Sequence, residues 1–373
     1  MKSSIQINPK DMINASLVFF VVHSAQVGVG IHGFQRVVYQ DAEKDAWISV
    51  LIAGLATHIV ALCMIKTLEI YGSNDLYGIH QEVYGKWIGN FFNVIYILYC
   101  GIAFFSVLRN YIEVIQTWIF PGLATWFLSA TLIIIIIYAF SGGLRVIVGV
   151  SFFSIMLALW IIPMLLFPLK YAYIEALYPI LEEDIIAILK GAKSMAFTII
   201  GFEIIQIMYP FVKDKENVKK NVHFSLLFTT ILYLIVMLVS LTYYSEGKLE
   251  KTIWATLTLF SFISFPFMER FEFVAICFWM LIILPNLCLY LWAAYRGAHR
   301  VIKISGTKFV WIFSLLVFIA TIFVQSRSQI NMINTQFGNI AFYIIFVYPI
   351  ILLLIVMLKK KFTSKKEQNN EKV

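Results

Sequence analysis

Glu203 is the one carboxylate within residues 190–212, a stretch otherwise apolar except for Lys190 and Lys193. A carboxylate held at bilayer depth costs several kcal/mol, so it marks a functional position by default. It can hold a proton, face a ligand amine or cap an unwound helix, and the residues around it leave these three uses open. It ends the string Ile200-Gly201-Phe202-Glu203, with Thr198 just upstream and Pro210 downstream. An earlier apolar stretch carries Gln26-Val27-Gly28-Val29-Gly30-Ile31-His32-Gly33. Glycine weakens a helix interior by roughly 1 kcal/mol relative to alanine. Unwound backbone persists at membrane depth only where it is buried in protein or lines a cavity. A half-helix N-terminus also offers unpaired N–H groups and a positive dipole end to a carboxylate. The chemistry these residues suit is non-covalent binding of a small polar solute between two helix breaks. Gly28, Val29, Gly30, Thr198, Gly201, Phe202 and Glu203 are the candidate substrate-binding residues on them. Close helix packing is the competing explanation for the glycines.

The elements that must position these residues are transmembrane helices. The chain has 373 residues, 61% apolar and 13% charged, whereas a soluble domain carries about 25% charged residues. A bilayer core about 30 Å thick needs about 20 apolar residues per helix. Spans are expected at 12–35, 46–65, 87–108, 122–141, 146–169, 190–212, 221–245, 273–295, 309–326 and 338–358. Thr252–Met268 is uncharged but short, and reads as a re-entrant or surface helix. The fold class is therefore all-α integral membrane, with about ten helices in a single domain over 1–358. A basic tail at 359–373 reads as solvated and disordered. The first apolar run is too long for a signal peptide.

The ten spans divide into halves, 1–169 and 190–358, each opening with a glycine-interrupted helix. Transporters built from inverted repeats place their sites at such breaks. With the N-terminus inside, the inner segments hold 19 Lys and Arg and the outer ones nine. That bias puts both termini in the cytoplasm. It also accounts for the net charge of +8 without a nucleic-acid partner.

Other polar residues carry less. Arg109 and Glu113 are four apart near the outer end of the third span, spaced to pair with each other. His23, His32 and His58 share no metal-ligand spacing, so no metal or other cofactor is expected. Cys63, Cys100, Cys277 and Cys288 all lie in apolar runs and read as buried small hydrophobes. Pro285-Asn286 marks an expected kink. Gly28-x-Gly30-x-x-Gly33 matches a dinucleotide fingerprint but lacks the strand and the helix that motif requires. No HExxH, GxSxG or P-loop string occurs, so an enzyme is not expected.

Several strings together resemble the B-subunit family of spore germinant receptors. They are Gln26–Gly33, Asp45-Ala46-Trp47-Ile48-Ser49-Val50, Leu108–Gln116, Glu269-Arg270-Phe271-Glu272-Phe273, Leu284-Pro285-Asn286 and Tyr290-Leu291-Trp292. Gly201-Phe202-Glu203 is similar to the turn in the sixth helix of amino acid permeases. The resemblance implies a LeuT-like five-plus-five inverted repeat with helices one and six interrupted. It adds the mid-span aromatics Tyr96 and Tyr99, of which Tyr99 joins the candidate site. It further implies a subunit of the spore inner membrane that binds a small germinant such as an amino acid. Its partners would be a receptor A subunit, a lipoprotein C subunit and the membrane lipid. A secondary amino acid transporter, proton-coupled through Glu203, is the alternative.

Overall fold

In a bilayer each backbone N–H and C=O has to be satisfied from within, and helices do this segment by segment. A computed structural model describes residues 7–72, 74–266 and 268–370. Its first helices are α1 (Ser16–Gln26), α2 (Phe34–Ala42), α3 (Ala46–Tyr71) and α4 (Leu76–Trp118), the last bent at Gly85. Next come α5 (Thr125–Ser141), α6 (Gly143–Ala158) and α7 (Ile161–Met164), then α8 (Ile185–Ser194), α9 (Ala196–Ile199) and α10 (Ile205–Met208). The remainder is α11 (Val218–Tyr243), α12 (Glu246–Lys251), α13 (Ala255–Ser261), α14 (Phe271–Ile302), α15 (Gly306–Phe323), α16 (Arg327–Phe342) and α17 (Tyr348–Asn370).

Among the described residues, six helical stretches are long and apolar enough to cross a membrane. They are Phe34–Tyr71, Leu76–Trp118, Lys215–Tyr243, Phe271–Ile302, Gly306–Phe323 and Arg327–Lys361. The helices α5 and α6 pass the same test together but are bent by 119° at Gly142. The core forms where α14 packs on α4 and α6, and α1 packs on α11, α6 and α14. Large apolar side chains such as Ile134, Tyr138, Trp311 and Leu316 remain exposed on the perimeter, where acyl chains rather than water would meet them.

Within α14, Pro285 has no N–H to give the carbonyl of Leu281. The Ser154 hydroxyl of α6 supplies that donor at 2.6 Å. The helix runs on through the proline because a neighbour repairs the ladder.

Four expectations need correction. The last span begins at Arg327 and not near 338, because α16 turns a polar stripe, Asn331, Asn334, Thr335 and Asn339, toward a cavity. Within 252–268, α13 keeps Ala255, Leu257, Leu259 and Phe260 fully buried, which argues against the surface-helix alternative and leaves the re-entrant one open. Cys277 is exposed, unlike buried Cys100 and Cys288. The tail does not begin as coil: α17 continues to Asn370, in residues such as Lys, Glu and Gln that form helix readily. The expectation for 371–373 lies outside the described residues, as do Lys2 and Lys372 of the charge tally.

Candidate functional site

Both glycine strings break their helices. At Gln26 the backbone leaves α1, runs extended through Val27 and Gly28, makes a tight turn over Val29–His32 and re-enters helix at Phe34. After Ile199 it runs extended at Ile200, passes Gly201 at φ 122° and turns over Phe202–Ile204 into α10. That φ favours glycine, and a Cβ at Gly201 would collide with the carbonyl of Ala25. The two breaks therefore lie against each other.

Unwinding frees backbone carbonyls, and an orphaned one at this depth would cost several kcal/mol. Neighbouring side chains cap them. Asn286 Nδ2 donates to Ala25 O at 2.6 Å and lies 3.4 Å from Ser24 O. Trp279 Nε1 donates to Gly28 O at 3.2 Å, and Thr256 Oγ1 to Ile31 O at 2.7 Å. Gln26 Nε2 crosses from the first break to Ile199 O at 2.9 Å. The Tyr233 hydroxyl stands between Thr198 O at 3.2 Å and Gln26 O at 3.4 Å, bridging both breaks.

Glu203 is 1% exposed and engaged by internal donors. Its Oε1 accepts from the Tyr99 hydroxyl at 2.6 Å and the Tyr290 hydroxyl at 3.4 Å; its Oε2 accepts from Gly201 N at 2.6 Å. Tyr96 reaches the Glu203 carbonyl at 3.5 Å. In this geometry the carboxylate caps the turn two residues before it.

A wide and a narrow cavity share lining residues at the breaks. The wide one, of about 210 Å³, is lined by Arg36, Lys193 and Arg327, by Asn110, Asn331, Asn334 and Asn339, and by aromatic and small residues. Lys193, Asn331, Thr335 and Asn339 are exposed, so it opens to the surface. The narrow one, of about 30 Å³, is lined by Gln26, Gly28, Asn286, Tyr290 and neighbours. Val29, Gly30, Phe197 and Thr198 line both and form the partition. A Cβ on Gly30 would come within 2.9 Å of Thr198 Oγ1, whereas one on Gly28 would meet nothing closer than 3.6 Å.

Of the residues expected from sequence, Gly28, Val29, Gly30 and Thr198 line these cavities, while Tyr99, Gly201, Phe202 and Glu203 lie behind them. Phe202 is fully buried against Phe346. Gln26, Asn286, Phe197 and the α16 asparagines also line the cavities, though no charge singles them out in the apolar runs. The spacing of the polar α16 residues is a usable signal, since Asn331, Asn334, Thr335 and Asn339 fall on one helix face. Arg109 and Glu113 do not pair directly. Arg109 donates to the carbonyls of Val324 at 2.6 Å and Gln325 at 2.9 Å, capping the end of α15, and Glu113 pairs with Arg327 at 2.6 Å.

A family model described as spore germination protein matches residues 12–330. The spore germination protein GerQB of Bacillus cereus is 35% identical over 92% of this chain and 95% of its own length. Spore germination protein YndE of Bacillus subtilis is 24% identical over 92% and 96%. The solved structure of MhsT in complex with L-phenylalanine superposes with a TM-score of 0.59 at 16% identity, covering 92% of this chain and 98% of that one. The likeness is one of fold, an all-α, multi-span membrane protein of LeuT-like type.

Proposed function

Because the chain belongs to the spore germination protein family, we propose that it is the B subunit of a germinant receptor, binding a small germinant at its paired helix breaks and helping to trigger germination. The germinant class is amino acid. The observation that carries this reading is the narrow cavity between the two breaks, parted from the wide cavity by Val29, Gly30, Phe197 and Thr198. Gly28, Val29, Gly30 and Thr198 contact the ligand; Tyr99, Gly201, Phe202 and Glu203 hold the second break in shape. A partition of small groups and one aromatic ring suits a gate that yields to the right ligand.

The spans number ten: α1 with α2, α3, α4, α5, α6 with α7, α8 to α10, α11, α14, α15, and α16 with α17. The halves 1–169 and 190–358 form inverted repeats in one domain, with both termini cytoplasmic in the spore inner membrane. The receptor A subunit and lipoprotein C subunit are the partners. Deleting the gene tests the receptor role. The response to one germinant class disappears while spores still form; a normal response in a strain without a redundant paralogue removes the reading.

A secondary amino acid transporter is the second reading, favoured by one observation. Away from the wide cavity, buried Asp75 lies 3.4 Å from Arg296 and 3.5 Å from Arg300, a closed ion-pair cluster of the kind alternating access would open. Uptake of labelled amino acid into proteoliposomes separates the two readings.

A further inference from the structure

The narrow cavity has an uneven polar lining. Gln26 and Asn286 are 3% and 2% exposed. Each spends its NH₂ group on a carbonyl freed by the breaks, Ile199 O for Gln26 and Ala25 O for Asn286. Those acceptors fix which end of each amide is nitrogen. What remains is Gln26 Oε1 and Asn286 Oδ1, both buried and neither with a donor. Burying an acceptor without a donor is unfavourable, and two such acceptors on residues that line one small cavity call for a ligand that donates.

We infer that the narrow cavity takes the ammonium end of its ligand on two neutral amide oxygens, Gln26 Oε1 and Asn286 Oδ1, and not on the carboxylate of Glu203. Three observations converge on this. Glu203 already accepts from Tyr99, Tyr290 and Gly201 and lines neither cavity. The α1 helix ends at Gln26, and the negative end of its dipole favours a cation there. The volume, about 30 Å³ against about 210 Å³ for the wide cavity, suits a small polar head group such as an ammonium and not a whole amino acid. The remainder of the ligand then passes the Gly30–Thr198 neck toward the wide cavity. Its cationic lining of Arg36, Lys193 and Arg327, of which Arg327 already pairs with Glu113, suits a carboxylate. The ligand is a zwitterion with its ammonium inward.

The inference rests on the mid-membrane site proposed above. Its test uses the full chain in nanodiscs, with thermal stabilisation by each of the twenty common amino acids as the readout. At least one stabilises the wild type; its deaminated acid binds at least tenfold more weakly, and stepwise N-methylation to the trimethyl betaine, which keeps the charge but removes the N–H donors, weakens binding at each step. Gln26→Met and Asn286→Leu erase that discrimination. The N-methyl series needs no protein variant, so a variant that fails to fold leaves the test intact. Binding by none of the amino acids overturns the inference, as does a betaine that binds like its parent, or discrimination unchanged in folded variants. Stabilisation by Na⁺ alone that both variants lose would assign the oxygens to a metal cation instead. A deletion strain with normal germination would remove the receptor role while leaving these binding results untouched.

Discussion

The Tyr99 hydroxyl donates to Oε1 of Glu203 at 2.6 Å, tying α4 to the second helix break. The same tyrosine ring stacks on Phe337 at 5.4 Å, and Phe337 meets Phe197 of the partition edge-on at 6.2 Å. A continuous set of contacts thus runs from the buried carboxylate to the neck between the cavities. Movement of Phe197 on ligand entry would be felt at Glu203 through two rings.

Glu203→Gln replaces one carboxylate oxygen with an NH₂ group. A glutamine that keeps the Tyr99 bond turns that NH₂ toward Gly201 N, two donors facing each other. The expected result is a loss of roughly 1–3 kcal/mol in stability, read as a lower thermal midpoint and less protein in the membrane. Ligand affinity per folded molecule changes little. A normal midpoint with lost ligand response would instead make Glu203 a ligand contact.

Arg109→Ala strips two carbonyls at the end of α15 of their donors. Arg109 is only 2% exposed, so water replaces it poorly, and the substitution lowers the thermal midpoint. Glu113→Gln, which loosens a partly exposed pair with Arg327, has the smaller effect because such pairs contribute little. Equal shifts in the two melting curves would contradict this ranking.

Reporter fusions test the orientation. The C-terminus and the 213–220 loop should report cytoplasm and the 170–190 loop the opposite side, as the Lys and Arg bias requires. Opposite readings for the C-terminus and the 213–220 loop would mean an odd number of spans between them.

Both helix breaks were legible in the amino-acid sequence because glycines and a lone carboxylate are conspicuous in apolar surroundings. The neutral residues that finish the site were not. Gln26 and Asn286 carry no charge to interrupt an apolar run, and their roles depend on carbonyls freed only once the helices unwind. The start of α16 was hidden by its own polar stripe, which faces a cavity and so looks like loop. The spacing of Arg109 and Glu113 puts both on one helix face, yet each finds a better partner at the end of α15 or on α16, a tertiary fact that spacing cannot carry.

The most direct test of the site is the pair Gly30→Ala and Gly28→Ala at the native locus, with germination dose–response measured at matched protein level. A Cβ at position 30 would press on Thr198 from 2.9 Å, narrowing the neck, while one at position 28 has room. Gly30→Ala is expected to raise the germinant concentration for half-response by about tenfold or more, roughly 1.4 kcal/mol. Gly28→Ala, whose Cβ meets no protein atom closer than 3.6 Å but borders the narrow cavity, should have the smaller effect. Near-normal sensitivity in Gly30→Ala would contradict a ligand path through this neck.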